Sequence, residues 1–186
     1  MRLAPAFLNV PIAAALSLCC LFPQTVSAVT LNFSATLYNG TCTLNLDKSA
    51  LRLPDVSLSS LAPQRLYSAQ PFQLSVTECT GGGASNLTPM VAVTGPGVSQ
   101  DNKWFFRQAN SAPGMGIMVF QTDAEPGYGL AELRSGATLP LADVGKKPVD
   151  QTLGFYAAAS CISSQNCTDV GTGVVTASLM FIFAYQ

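Results

Sequence analysis

Apolar and polar residues alternate in short bursts along this chain, and Gly, Pro and Asn punctuate the bursts. The last ten residues, "ASLMFIFAYQ", place Leu179, Phe181, Phe183 and Tyr185 at one parity and Met180, Ile182 and Ala184 at the other. Period-two spacing of β-branched and aromatic residues predicts a strand, and apolar side chains at both parities predict burial on both faces. Gly171 and Gly173 upstream, followed by Val174, Val175 and Thr176, favour a strand over a buried helical segment. Near the start, "LNFSATLY" sets Leu31, Phe33, Ala35 and Leu37 against Asn32, Ser34 and Thr36. Asn39-Gly40 then supplies a turn, and "TCTLNL" follows with Cys42, Leu44 and Leu46 on one side. "PFQLSVTEC" sets Phe72, Leu74 and Val76 against Gln73, Ser75 and Thr77. Cys79 has the wrong parity for that inner face, so the strand is expected to end or bulge near Glu78. "MVAVTG", "KWFFR", "GIMVF", "TLPL" and "LGFYAAA" predict further strands, and "GGGASN" reads as a flexible loop. No amphipathic helix, internal repeat or linker interrupts the series. Many short strands with turn residues between them predict an all-β sandwich.

The first 28 residues break this pattern. Arg2 precedes an apolar stretch from Val10 to Phe22, and Val26-Ser27-Ala28 closes it. That arrangement predicts a signal peptide over 1–28, cleaved after Ala28, with a single domain over 29–186. The apolar stretch is shorter than the roughly 20 residues an α-helix needs to cross a bilayer, and no membrane span is expected in the mature chain. Cys19 and Cys20 leave with the signal. Leu18 ahead of Cys19 is too large for a lipoprotein site.

Four cysteines then remain, Cys42, Cys79, Cys161 and Cys167. An even number in an exported chain predicts two disulfides. Three pairings are open; a nearest-neighbour choice would close "CISSQNC" and leave Cys42 and Cys79 as the longer staple. Zinc is disfavoured, because the chain has no His and no CxxC spacing.

Charge changes the picture little: 10% of residues are charged and the net charge is −1. No basic patch addresses nucleic acid or anionic lipid, Lys146-Lys147 being an isolated pair. With 48% hydrophobic residues, the surface is expected to be apolar enough to want a permanent partner. Catalysis has little to work with. The absence of His excludes Ser-His-Asp and Cys-His arrangements. Asp123 and Glu125 flank Pro126-Gly127 and read as a solvated turn rather than an acid–base pair or a Ca²⁺ site. Neither an enzyme nor a cofactor is expected. "DNKWFFRQAN" is the most site-like stretch, since Trp104 with Asn102 and Arg107 is a set that grips a sugar by stacking and polar contact. Trp104 and Phe106 also alternate, and the core reading of Trp104 is preferred over the ligand reading.

Taken in order, these segments resemble the pilin subunits of chaperone–usher fimbriae of the type 1 kind, made by Gram-negative bacteria. "NFSATLYNGTC", with Phe33 nine residues before Cys42, is similar to the family's first strand. "PFQLSVTEC" is similar to the segment carrying the second half of the family disulfide, which implies a Cys42–Cys79 bond. "GMGIMVF" and "LGFYAAA" resemble the central and penultimate strands. At the end, Tyr185 is penultimate and Gly173 stands fourteenth from the carboxyl terminus. The likeness covers nearly all of 29–186, with Cys161–Cys167 left as a local staple outside the basic pattern.

The resemblance implies an incomplete immunoglobulin-like β-sandwich lacking its last (G) strand and completed by a donor strand. A periplasmic pilus chaperone would lend that strand first, and the next subunit's N-terminal extension would replace it at the outer-membrane usher. Gly173, Leu179, Phe181, Phe183 and Tyr185 would make the zipper contacts, and the carboxylate of Gln186 would meet basic chaperone residues. The expected product is a structural and adhesive fimbrial subunit at the cell surface, with other fimbrial subunits as partners and a host receptor or glycan as ligand. Cleavage after Ala28 would leave only Val29 and Thr30 ahead of Leu31, too short for a donor extension, so a minor, tip-located subunit is expected. Two alternatives stand beside it: a major shaft pilin with a different mature start, and a complete secreted β-sandwich that binds a ligand.

Overall fold

The sequence folds locally as its alternation dictates, and the computed structural model describes residues 40–81 and 85–186. The predicted signal peptide, the predicted strand over 31–38 and Asn39 lie outside the described residues. Among the described residues nine strands follow in order: β1 Gly40–Leu46, β2 Tyr67–Gly81, β3 Pro89–Thr94, β4 Gly97–Gln100, β5 Lys103–Phe106, β6 Met115–Gln121, β7 Thr138–Pro140, β8 Gln151–Cys161 and β9 Met180–Tyr185. The one helical element among the described residues is a 3₁₀ turn at Leu58–Ser60. No helix there is long and apolar enough to cross a membrane. All described residues fall in one compact unit, Leu37–Gln186.

Two antiparallel sheets result. One has six strands in the order β1-β2-β8-β6-β5-β4, and the other has three in the order β7-β3-β9. Their inner faces meet in a core to which the larger sheet contributes Phe72, Leu74, Val76, Val119 and Phe155, and the smaller one Val91, Val93 and Leu139. Phe72 stacks on Phe155 at 5.2 Å between ring centroids, and Phe181 of β9 closes on Phe155 at 5.5 Å. Aromatic packing thus ties the terminal strand to the opposite sheet. Phe105, Met118 and Phe120 point the other way, beneath Leu66, Tyr128 and Ile162. That second covering explains why "WFF" and "IMVF" are apolar at both parities.

The irregularity expected near Glu78 is present. Glu78 has φ +53°, and the β1–β2 register shifts between Thr41 and Thr43, whose partners are Thr80 and Thr77. The bulge turns Cys79 inward, where it bonds Cys42. A second disulfide joins Cys161 to Cys167 across the loop after β8.

Three local expectations are corrected. Leu46 does not follow Cys42 and Leu44 inward; it is exposed at the end of β1. "GVSQ" forms a strand, β4, that the alternation did not announce, because it lies at a sheet edge with three exposed residues. The terminal strand is not buried on both faces: Met180 is 60% exposed and Ile182 43%. Its even-numbered residues face outward from the three-stranded sheet, and no layer of the described residues covers that face.

Candidate functional site

Residues 170–177 lead into β9 through a bend at 172–173 and outside any sheet ladder among the described residues. On one side this path leans on the loop after β5. Gln108 donates its N–H to the Thr176 carbonyl at 2.8 Å and Ala112 donates to the Val174 carbonyl at 2.9 Å. The Ser111 hydroxyl accepts from the Thr176 N–H at 3.1 Å. Arg107 holds that loop in shape, donating to the carbonyls of Met115, Ser111 and Ala112 at 2.9–3.3 Å. Close approach needs small residues. Gly173 has φ +141°, and a Cβ there would sit 3.2 Å from the Ala112 Cβ.

In an extended chain, successive residues turn their backbone groups to opposite sides. Val174 and Thr176 direct theirs at the 108–112 loop, so Val175 and Ala177 direct theirs away from it. Among the described residues, the N–H and C=O of Val175 and Ala177 make no hydrogen bond. They border a cavity of about 770 Å³. Its far wall is a second extended segment that includes Leu51, Leu53 and Val56, and its floor contains Met115, Ile117 and Ala159. Leu51 and Leu53 turn inward against the core, as Val175 and Ala177 do opposite them. The space is a slot between these two segments, and among the described residues the Val175 and Ala177 side has backbone groups with no ladder partner. An extended peptide is the shape that satisfies those groups, and alternate apolar side chains would fill the floor.

Downstream, β9 pairs with β3 over Pro89↔Tyr185 to Thr94↔Met180, and among the described residues β3 is its only ladder neighbour. Leu179, Phe181 and Phe183 pack against the core from it, and the Phe183 and Tyr185 rings meet edge to face at 5.3 Å. Tyr185 also approaches β1, since a Cβ on Gly40 would lie 2.6 Å from its hydroxyl. Gln186 extends the pairing with β3 by two backbone bonds to Thr88. Gly173, Leu179, Phe181, Phe183, Tyr185 and Gln186 therefore lie along one continuous extended path. Sequence reasoning found that path but missed the slot's other surfaces. Leu51 and Leu53 flank Arg52 in a run too short to register as a strand, and the alanines of β8 gave no sign of lying beneath an opening.

Asn102, Trp104 and Arg107 go to separate partners. Asn102 sits in the β4–β5 turn at φ +59°, and its carbonyl accepts from Arg134. Trp104 packs against the main core, edge-on to Phe106 at 5.9 Å. Its Nε1 is buried and has no hydrogen-bond partner among the described residues. Arg107 is occupied by the loop carbonyls.

Beneath this hairpin lies Glu132, whose side chain is 2% exposed. It binds Lys103 at 3.1 Å and Arg134 at 2.9 Å, and accepts the Trp104 N–H at 3.0 Å. Burial alone would push its carboxyl up. Hydrogen bonds from its own backbone, from Lys103 and from the Trp104 N–H outweigh burial and hold it below the ordinary 4.5. A depressed carboxylate adds stability above its unfolded pKa and loses it as pH falls through the folded value. Glu132→Gln is therefore expected to lower stability by about 1–2 kcal/mol at pH 7 and to flatten the loss of stability below pH 4.5. Urea melts at neutral and acid pH check this; parallel pH profiles for the two proteins would contradict it. Nearby, burial raises the Tyr128 hydroxyl above its usual value, helped by the negative charges of Asp101 and Glu132. Among the described residues, no group of three or more His, Cys, Asp or Glu side chains is placed to hold a metal ion.

Comparison with known proteins gives the fold. No family model and no curated protein sequence matches the chain. Solved structures do. The P pilus rod subunit PapA aligns over 78% of this chain and 99% of its own, at 21% identity and a TM-score of 0.51. A subunit from a chaperone–usher pilus structure concerned with rod uncoiling aligns over 88% of this chain and 98% of its own, at 19% identity and a TM-score of 0.51. The chain shares the fold of these pilus subunits.

Proposed function

We propose that the protein is a non-enzymatic subunit of a chaperone–usher fimbria, built as an immunoglobulin-like sandwich whose last strand is supplied in trans. The observation that carries this reading is the slot, whose Val175 and Ala177 wall has backbone groups with no ladder partner among the described residues. The shared fold with the PapA rod subunit supports it. A periplasmic chaperone lends a strand to the slot and to the β9 edge, and another subunit's extension replaces it at the outer-membrane usher. Gly173, Leu179, Phe181, Phe183, Tyr185 and Gln186 form the acceptor edge. An unpaired strand edge over an apolar opening is an aggregation hazard, which a chaperone removes.

The domain spans 29–186 after export through the periplasm, and the product resides in a fimbrium at the cell surface. Isolation from periplasm, with mass spectrometry of whatever co-purifies, tests the reading. A one-to-one complex with a strand-lending protein is the expected result; a stable, unaccompanied monomer would overturn it in favour of a complete ligand-binding sandwich. The finer placement, a minor tip subunit acting in adhesion to a host receptor or glycan, follows from cleavage after Ala28. N-terminal sequencing should then begin at Val29. Immunogold labelling spread along the shaft would refute the tip position and favour a major pilin.

A further inference from the structure

The loop of residues 107–114 stands where a strand partner for residues 171–178 would run, yet it forms no ladder with them. Its contacts follow the segment in antiparallel order. The Pro113 carbonyl accepts the Gly171 N–H at 3.2 Å, and the Ala112 N–H donates to the Val174 carbonyl at 2.9 Å. Ser111, 8% exposed, then meets Thr176 through its side chain. Its hydroxyl donates to the Thr176 carbonyl at 2.9 Å and accepts the Thr176 N–H at 3.1 Å. Gln108 follows, with its N–H on the same carbonyl at 2.8 Å and its side-chain amide on the Ser178 hydroxyl at 2.9 Å. The Ser111 N–H closes a turn on the Gln108 carbonyl at 3.1 Å, and its own carbonyl accepts from Arg107. The hydroxyl is the group left for Thr176. Arg107 gives its guanidinium to three carbonyls of this loop and, among the described residues, to no carboxylate. Glycines allow the close approach. A Cβ on Gly114 would lie 2.7 Å from the Asp169 carbonyl oxygen, and one on Gly171 would lie 2.7 Å from the Pro113 ring.

Exposure alternates along the segment, with Val174, Thr176 and Ser178 outward and Val175 and Ala177 half-buried. That is the period of an extended chain. An extended segment with no ladder on either edge loses conformational freedom with few hydrogen bonds in return. We propose that Arg107 and Ser111 are positioning residues for strand capture. They clamp 174–177 in extended form before any donor arrives, so that the backbone groups of Val175 and Ala177 already point into the slot. The proposal rests on the strand-acceptor reading and adds what prepares the acceptor. It has a kinetic consequence. A site that is competent only part of the time binds more weakly by that fraction. Loss of the clamp therefore slows capture. Escape is unchanged, because a bound strand itself holds the segment extended. A net hydrogen bond is worth a factor of about 2 to 10, and the Ser111 hydroxyl supplies two.

The test uses the exported, oxidised protein, first alone and then with a synthetic peptide of alternating Thr and Val. The peptide is about fifteen residues long, enough at roughly 3.3 Å per residue to run beside the slot and β9. Amide hydrogen exchange read by NMR should find Thr176 protected in the native protein, with Val175 and Ala177 exchanging freely until the peptide is added. Ser111→Ala should open the Thr176 amide while the amides of β2 and β8 keep their protection. In stopped-flow fluorescence with labelled peptide, Ser111→Ala should slow association about 10-fold and leave dissociation unchanged. Arg107→Met should do the same without touching Thr176 itself. A mere loss of global stability would instead lower the fraction of protein that binds and leave the rate alone. Free exchange at Thr176 in the native protein would overturn the clamp, whether or not the variants fold. An association rate that ignores both substitutions would overturn it too, and would leave the strand-acceptor reading intact. Failure of the peptide to bind native protein in which Thr176 is protected would sink the strand-acceptor reading and the positioning role with it.

Discussion

Phe181→Asp is expected to abolish recovery of folded protein from the periplasm, while Ile182→Asp, one residue on, leaves it largely intact. The two positions differ in parity and in little else. Phe181 faces the core, with its ring 5.5 Å from Phe155 and 6.4 Å from Phe72, and it pairs with Val93 on β3. Losing a core phenylalanine costs about 3–5 kcal/mol. An unpaired carboxylate placed among those rings adds further cost, because water no longer solvates it. A domain of ordinary stability has about 5–15 kcal/mol to lose, and an incomplete one has less. Ile182 lies on the outer face and is 43% exposed, so its aspartate stays hydrated and the cost is about 1 kcal/mol of strand preference. The same substitutions read out the acceptor edge, since Phe181 lies on the strand to which a lent strand would pair. Soluble, correctly oxidised Phe181→Asp protein at native yield would contradict both the packing and the proposed function.

Loss of Cys42 should cost much more than loss of Cys161. The Cys42–Cys79 bond closes a separation of 37 residues, and Cys161–Cys167 closes one of 6. Chain entropy then assigns about 4 kcal/mol to the first bond and about 2 kcal/mol to the second. Position widens the difference. Cys42, Cys79 and Cys161 are all buried, but the Cys42–Cys79 bond anchors β1, at the edge of the sheet among the described residues, beside the bulge that interrupts its ladder to β2. Cys161–Cys167 staples a loop whose residues also have other anchors, Ser164 on Asp101 and Gly171 on Pro113 among them. Thermal unfolding of Cys42→Ser should shift down by roughly 8–16 °C, against about 4–8 °C for Cys161→Ser. Equal shifts would show that the long loop is already restrained in the unfolded chain. Peptide mapping without reduction should recover the two pairs separately, and a Cys42–Cys161 peptide would refute the architecture.

Alternation alone determined much of this protein. It fixed the strand character of 71–79, 90–95, 103–107, 116–120, 153–159 and the terminal run, and it located the Glu78 irregularity from the parity of one cysteine. These features are local: a period of two reports which residues face inward, and a parity error reports a bulge. The family pattern added the Cys42–Cys79 pairing that the structure contains, which counting cysteines had left among three. Other features had no local signal. "GVSQ" became a strand only because "KWFF" lay beside it, since an edge strand needs a partner more than a pattern. Met180 and Ile182 looked as buried as Phe181, because apolar character cannot say whether a second layer exists to cover the outer face. The slot was the least legible part. Its walls, 50–56 and 170–177, lie more than a hundred residues apart in the chain, and its floor is drawn from β6 and β8. Backbone groups without partners cannot be seen in a sequence at all; they appear only when every other strand has taken its place and two extended segments are left facing each other.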